Sequence, residues 1–130
     1  MIQRIQTVFL LIIVMVSVIG FFFLPPLNFS LLGLMAPAIL KSYIILTSSL
    51  AFLSLMIFKH RKTQLILNRL HFFLQVAITG VLIFGLLNAD ELNSFLLWLL
   101  MPFQSMILLI FSSRAIQKDD DLIRSIDRLR

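Results

Sequence analysis

The sequence predicts an all-α integral membrane protein, a four-helix bundle followed by a cytoplasmic C-terminal amphipathic helix. Four long runs carry no charge, at residues 7–24, 42–58, 72–89 and 92–113. A helix needs about 20 apolar residues to cross the hydrocarbon core of a bilayer, with a usual range of about 17–25. Composition agrees, because 60% of the residues are hydrophobic and 13% are charged. A soluble domain is about 25% charged.

Two segments follow from this pattern. Residues 1–113 form the membrane bundle, with spans at about 7–24, 40–58, 69–88 and 92–112. Residues 114–130 form a polar tail. The first span is expected to be retained, because it is longer than the apolar part of a signal peptide, about 7–15 residues. It ends in Pro25-Pro26, which stop a helix, and no small-residue cleavage site is present.

The positive charges orient the bundle. Ten of the 11 Lys and Arg residues lie before the first charge-free run, between the second and third runs, or after the fourth. Lys41 is the exception. Lys and Arg collect on the cytoplasmic side of membrane proteins, so both termini are predicted to be cytoplasmic. The net charge of +5 then comes from basic residues that flank the membrane helices. The expected partners are therefore the lipid bilayer and other integral membrane proteins, not nucleic acid.

The sequence carries no recognisable catalytic chemistry. It has no cysteine, which excludes disulfides, thiolate metal sites and thiol redox reactions. His60 and His71 have no neighbouring acid or thiolate that would complete a metal site. No charged side chain needs to lie at the bilayer centre, where pumps and proton-coupled transporters mark their pathways. We therefore expect no enzyme activity, no cofactor, and no catalytic or metal-binding residues.

Small residues predict where helices approach closely. Thr47, Ala51 and Ser54 share one face of the second span, and Ala77 and Gly80 form a similar patch on the third. Small side chains let backbones come together in lipid, where no hydrophobic effect drives association. The sequence leaves open whether these faces pack within the bundle or against a partner.

Pro102 lies inside the fourth span and is expected to kink it. Gln104, just after it, is the best candidate for a buried polar contact between helices. An alternative function also uses this region. A small transporter or lipid-binding protein would need a pocket lined by Gln75, Thr79, Gln104 and Ser105.

The connection at residues 27–35 is unusually apolar. Open backbone cannot lie in lipid, so we expect a short helical turn at the outer interface or a cover from another protein. Asn28 and Ser30 are candidate caps of that turn, and Pro37 suits the first turn of the second helix.

The loop between the second and third spans is short and basic, with Lys59, Arg61 and Lys62. Its favoured interpretation is a determinant of topology. The alternative is a site for anionic lipid head groups.

The tail has the periodicity of an amphipathic helix. Leu122, Ile126 and Leu129 form an apolar stripe, and Arg124 and Arg128 belong to a face of mixed charge. A helix that lies on a membrane is usually rich in Lys and Arg, whereas this one is nearly balanced. The tail is therefore predicted to dock on protein, either its own basic loop or a partner.

Both ends of the chain resemble a known family. Residues 1–11, MIQRIQTVFLL, and the closing residues from RAIQKD at 114–119 to DRLR at 127–130 are similar to a small Bacteroidota membrane-protein family. That family is classed as a domain of unknown function and is predicted to have four helices. The resemblance implies the inner membrane of a Gram-negative bacterium. It brings no activity, and it carries over no catalytic residue.

The sequence as a whole favours a non-enzymatic, multi-pass accessory or scaffolding subunit of a larger membrane assembly, such as one for protein translocation or secretion. The small transporter or lipid-binding protein is the alternative. A lipid-modifying enzyme comes third, because the outer side offers little chemistry beyond Asp90 and Glu91.

Overall fold

The computed structural model describes residues 2–27, 30–31, 34–57, 59–88 and 92–130. Its four helices are α1 (Ile2–Phe23), α2 (Ala36–Met56), α3 (Arg61–Leu87) and α4 (Leu92–Arg128). All four are long and apolar enough to cross a membrane. The predicted fold class, a membrane bundle of four helices, is confirmed.

The helices form a closed ring in which each contacts two neighbours. α1 packs against α2 and α4, and α3 packs against the same two helices. Asn68 faces Ser112 and Arg61 faces Asp119, so α3 and α4 run antiparallel. The start of α1, the α2–α3 connection and the end of α4 therefore lie at one end of the bundle, which we call the terminal end. The opposite end carries the α1–α2 connection, and we call it the hairpin end.

The predicted tail is not a separate helix, because α4 continues into it without a break. The helix has 37 residues and passes through Pro102, so it is about 55 Å long at 1.5 Å per residue. Ile116 is fully buried and Asp119 is partly buried, whereas every residue from Asp121 onward is exposed. The last part of α4, residues 121–130, thus projects beyond the bundle, and we call it the extension.

The buried side chains of α3 and α4 follow a heptad repeat. They recur at alternating intervals of three and four residues, which is the pattern of helices packed in a left-handed bundle. On α3 they are Gln64, Asn68, His71, Gln75, Ile78, Leu82 and Gly85, and on α4 they include Phe95, Trp98, Pro102, Ser105, Leu109, Ser112 and Ile116. Within residues 70–87 of α3 and 94–113 of α4 the exposed side chains are apolar, as lipid requires.

The hairpin end has an apolar core that includes part of the α1–α2 connection. Leu27 is fully buried there beside Leu40, Leu82 and Phe95. Trp98 Nε1–H donates a hydrogen bond of 2.7 Å to the Pro25 carbonyl. The bundle itself thus covers part of the connection for which the sequence offered another protein as a possible cover.

The expected helical turn in this connection is wrong. The structure has a two-stranded antiparallel pair, β1 (Ser30–Leu31) and β2 (Leu34–Met35), in which Ser30 pairs with Met35. Ser30 therefore belongs to a strand and is not a helix cap, and Asn28 lies outside the described residues. A hairpin meets the same need as a helical turn, because its strands satisfy each other's backbone polar groups. Pro37 lies in the first turn of α2.

At Gly20, α1 packs tightly against Met101 of α4. A β-carbon on Gly20 would stand 2.6 Å from both Sδ and Cε of Met101. Gly80, in contrast, faces outward, and apart from its chain neighbours and the backbone of its own helix no atom lies within 4 Å of its β-carbon position. The two glycines offer a matched pair, since both lie inside membrane helices and only one is crowded.

We predict that Gly20→Leu lowers the free energy of unfolding by about 1–3 kcal/mol, because overpacking forces neighbouring side chains and helices to shift. Gly80→Leu should change it by less than about 0.5 kcal/mol, as for most surface substitutions. SDS-induced unfolding of the purified protein in mild detergent measures both. Equal losses for the two variants would show that α1 and α4 are not packed this closely.

Candidate functional site

The most distinctive feature of the bundle is a polar interior toward its terminal end. Ten polar side chains are buried among the described residues, and they come from all four helices. They are Gln6, Ser17, Thr47, Ser54, Gln64, Asn68, His71, Gln75, Ser105 and Ser112. In lipid such groups must find partners within the protein, so their hydrogen bonds define how the helices fit together.

Asn68 joins three helices. Its Oδ1 accepts a bond of 2.9 Å from the Ser54 hydroxyl of α2, and its Nδ2 donates to Ser112 Oγ of α4 at 3.3 Å. Gln64, one turn earlier on α3, donates to the Ser54 carbonyl at 3.2 Å. This group, Ser54, Gln64, Asn68 and Ser112, forms a polar layer that we call the asparagine layer.

A second layer is centred on Gln75. The Tyr43 hydroxyl of α2 donates to Gln75 Oε1 at 2.6 Å. Because that oxygen is the acceptor, the Gln75 amide nitrogen is the donor to His71 Nε2, which lies 2.9 Å away. Thr79 completes the layer by donating to the Gln75 carbonyl at 2.7 Å. The Tyr43–Gln75 bond joins α2 to α3, while the other two bonds lie within α3 and give His71 a partner inside the bundle.

The predicted packing residues divide into two groups. Thr47, Ala51 and Ser54 are buried inside the bundle, whereas Ala77 and Gly80 are exposed on the outer surface of α3. Gln104 is only partly buried. The polar contacts between helices are made mainly by Asn68 and Gln75, not by Gln104.

On α3, sequence reasoning missed three buried polar residues, namely Gln64, Asn68 and His71. They lie in or beside a basic segment that the charge pattern assigned to a loop and a helix end. The signal that could have found them is their spacing, since positions 64, 68, 71 and 75 continue one heptad repeat along α3.

The basic loop contacts the end of the bundle. Arg61 forms an ion pair of 2.7 Å with Asp119 of α4, and both side chains are mostly buried. Its charge is therefore matched within the chain. Lys59 and Lys62 are exposed, and lipid binding by this loop stays a prediction.

The extension exposes its apolar stripe. Leu122 is 46% exposed, Ile126 is 57% exposed and Leu129 is 89% exposed. Arg124 pairs with Asp120 at 2.9 Å, and Arg128 is exposed. The stripe thus has no cover in the described part of the chain, and docking on a partner stays a prediction.

Comparison with protein families shows the family to which this chain belongs. Residues 27–129 match the family described as "Domain of unknown function (DUF4293)". The chain belongs to this family. No match was found among curated proteins or among solved structures.

The matched region of the family covers α2, α3, α4 and the extension. Both polar layers therefore lie inside it. Asp90 and Glu91, the acids considered for lipid chemistry, lie outside the described residues. Within the described part, no three His, Asp or Glu side chains come together as a metal site would require.

The alternative transport pathway is not favoured by this geometry. Its predicted lining residues Gln75 and Thr79 are engaged in the second layer, and Ser105 is buried. None of them lines the main grooves that the described residues form. The polar interior acts as a set of helix contacts.

We predict that Asn68→Ala lowers the free energy of unfolding by about 1–2 kcal/mol, because it removes interhelical bonds to both Ser54 and Ser112. The matched control is Asn88→Ala. Asn88 is exposed and bonds only the carbonyl of Phe84 on its own helix, so its loss should be several times smaller. SDS unfolding in mild detergent measures both, and equal losses would contradict the role of the asparagine layer.

Proposed function

We propose that this protein is a non-enzymatic accessory or scaffolding subunit of a larger assembly in the inner membrane of a Bacteroidota bacterium, with both termini in the cytoplasm. The observation that carries this proposal is the extension of α4, whose apolar stripe is exposed. The charge distribution of the sequence supports the orientation. Assemblies for protein translocation or secretion are the first hosts to test.

The geometry favours protein over lipid as the surface that covers the stripe. The extension continues a membrane-spanning helix, and such helices tilt from the membrane normal by about 20° on average. Ser113 ends the charge-free part of α4, and Ile126 follows it by about 20 Å at the helical rise of 1.5 Å per residue. A stripe held that far from the apolar slab does not lie on the bilayer surface.

The charges of the extension also favour protein over lipid as the surface that covers the stripe. From Lys118 to Arg130 the chain has four basic and four acidic residues, so the two signs balance along the helix. Anionic lipid attracts polybasic helices and gains little from a balanced one. A helix with apolar and mixed charged faces is typical of packing against another helix, where charge pairs at the edges select the partner.

The proposal is tested by purification of the tagged protein from native membranes in a gentle detergent. We expect at least one other membrane protein to co-purify in a fixed ratio. A lone monomer or homodimer across several mild detergents would overturn the proposal.

We predict that Ile126→Asp abolishes this co-purification while the bundle remains folded. Burial of an isoleucine is worth roughly 1.5–3 kcal/mol, and a buried unpaired charge adds a further cost. Ser125→Asp is the control, since it adds the same charge at the same level of the helix but outside the stripe. Quantitative mass spectrometry of the purified complex, together with SDS unfolding of each variant, measures the effect. Retention of the partner by Ile126→Asp would show that the stripe is not the docking surface.

A further inference from the structure

A groove between α3 and α4 at the terminal end combines positive charge with an apolar wall. It has a volume of about 330 Å³, within the range of about 300–1,000 Å³ typical of ligand sites. Its lining includes four apolar side chains and two arginines, namely Phe72, Phe73, Leu109, Ile110, Arg69 and Arg114. The uncharged polar residues of the lining are Asn68, Ser113 and Gln117.

The two arginines lie at the edge of the apolar slab. Arg69 directly precedes the apolar part of α3, and Arg114 directly follows the charge-free run of α4. They belong to neighbouring antiparallel helices and line the same groove. Two guanidinium groups are thus placed where a lipid head group meets its acyl chains.

Neither arginine is neutralised within the described part of the chain. The ion pairs there involve Arg61 with Asp119 and Arg124 with Asp120. Arg69 and Arg114 are exposed and have no carboxylate within 4 Å among the described residues. The groove therefore carries two positive charges that an anion from outside the chain can match.

We propose that this groove is a binding site for one anionic phospholipid. The phosphate lies between Arg69 and Arg114, because guanidinium groups bind phosphate oxygens through paired N–H donors. An acyl chain lies along Phe72, Phe73 and Ile110. Basic pockets between membrane helices on the cytoplasmic side are recognised sites for anionic head groups, and the predicted orientation places this groove on that side.

The apolar wall distinguishes a phospholipid from a soluble anion. Phosphate alone would use the arginines and leave Phe73 and Ile110 unmatched. The site also differs from the predicted lipid contact at Lys59 and Lys62. Lys59 lies in the α2–α3 connection, Lys62 lies in the first turn of α3, and neither lines the groove. The proposal does not depend on the accessory role, since it concerns a different surface of the chain.

The test is native mass spectrometry of the detergent-purified full chain, titrated with phosphatidylglycerol or phosphatidylcholine. We expect one phosphatidylglycerol to bind with clear preference over phosphatidylcholine. The double variant Arg69→Gln/Arg114→Gln should weaken that binding at least tenfold, since each charge-assisted hydrogen bond contributes substantially. Millimolar inorganic phosphate should not displace the lipid.

The control is Lys59→Gln/Lys62→Gln, which removes the same charge from the neighbouring loop and should leave binding unchanged. Ile110→Trp, which fills the groove and keeps both arginines, should also weaken binding. SDS unfolding shows whether each variant is folded. Equal loss in both double variants, full retention by Ile110→Trp in a folded protein, or displacement by inorganic phosphate would each overturn the proposal.

Discussion

Asn68 is bonded on both sides, to Ser54 of α2 and to Ser112 of α4, and the packing of three helices depends on it. In water, burial of apolar faces would hold such a bundle together. In lipid that driving force is absent between helices, and close packing and hydrogen bonds decide which faces meet. The outer surface of the four spans is mostly apolar, so apolarity cannot specify the inner faces. The amides and hydroxyls can, because any other rotation of α3 would break the bonds of Asn68 to Ser54 and Ser112 and turn Gln75 toward hydrocarbon.

The two ends of the bundle solve this problem differently. At the hairpin end the interior is apolar, and Leu27 and Trp98 close it against the α1–α2 connection. Toward the terminal end the interior is polar, with the layers centred on Asn68 and Gln75. Directional bonds fix the rotation and register of the helices at one end, while shape and close approach, as at Gly20, fix their separation at the other. Neither device requires a charged group in the membrane.

The fold could be predicted from the sequence because it follows from length and apolarity alone. Four runs near 20 residues determine four spans, whatever their internal order. The interior could not be predicted in the same way. Asn68 and His71 stand close to Arg69 and the basic loop, and one-dimensional charge counting assigned that region to the membrane edge. Ala77 and Gly80 face outward in the heptad frame, so their small size alone could not show whether they pack within the bundle or against a partner. Which face of a membrane helix is inward is a property of the whole bundle, and composition within one span does not contain it.

The continuity of α4 changes the energetics of the extension. A nine-residue helix alone in water is marginal, because the first turn costs more than it returns. Here the extension continues a helix that is already formed in the bundle. Just before the extension, Ile116 is buried and Asp119 forms an ion pair with Arg61 of α3, so the start of the extension is fixed. The extension therefore starts as helix and adds residues one at a time. A disordered tail would lose conformational entropy when it folds on a partner. The extension is already helical, so a partner that binds Leu122 and Ile126 faces a smaller entropy loss on association. The groove between Arg69 and Arg114 lies on the same two helices, α3 and α4, close to the Arg61–Asp119 pair. A lipid bound there would add contacts between these helices near the start of the extension.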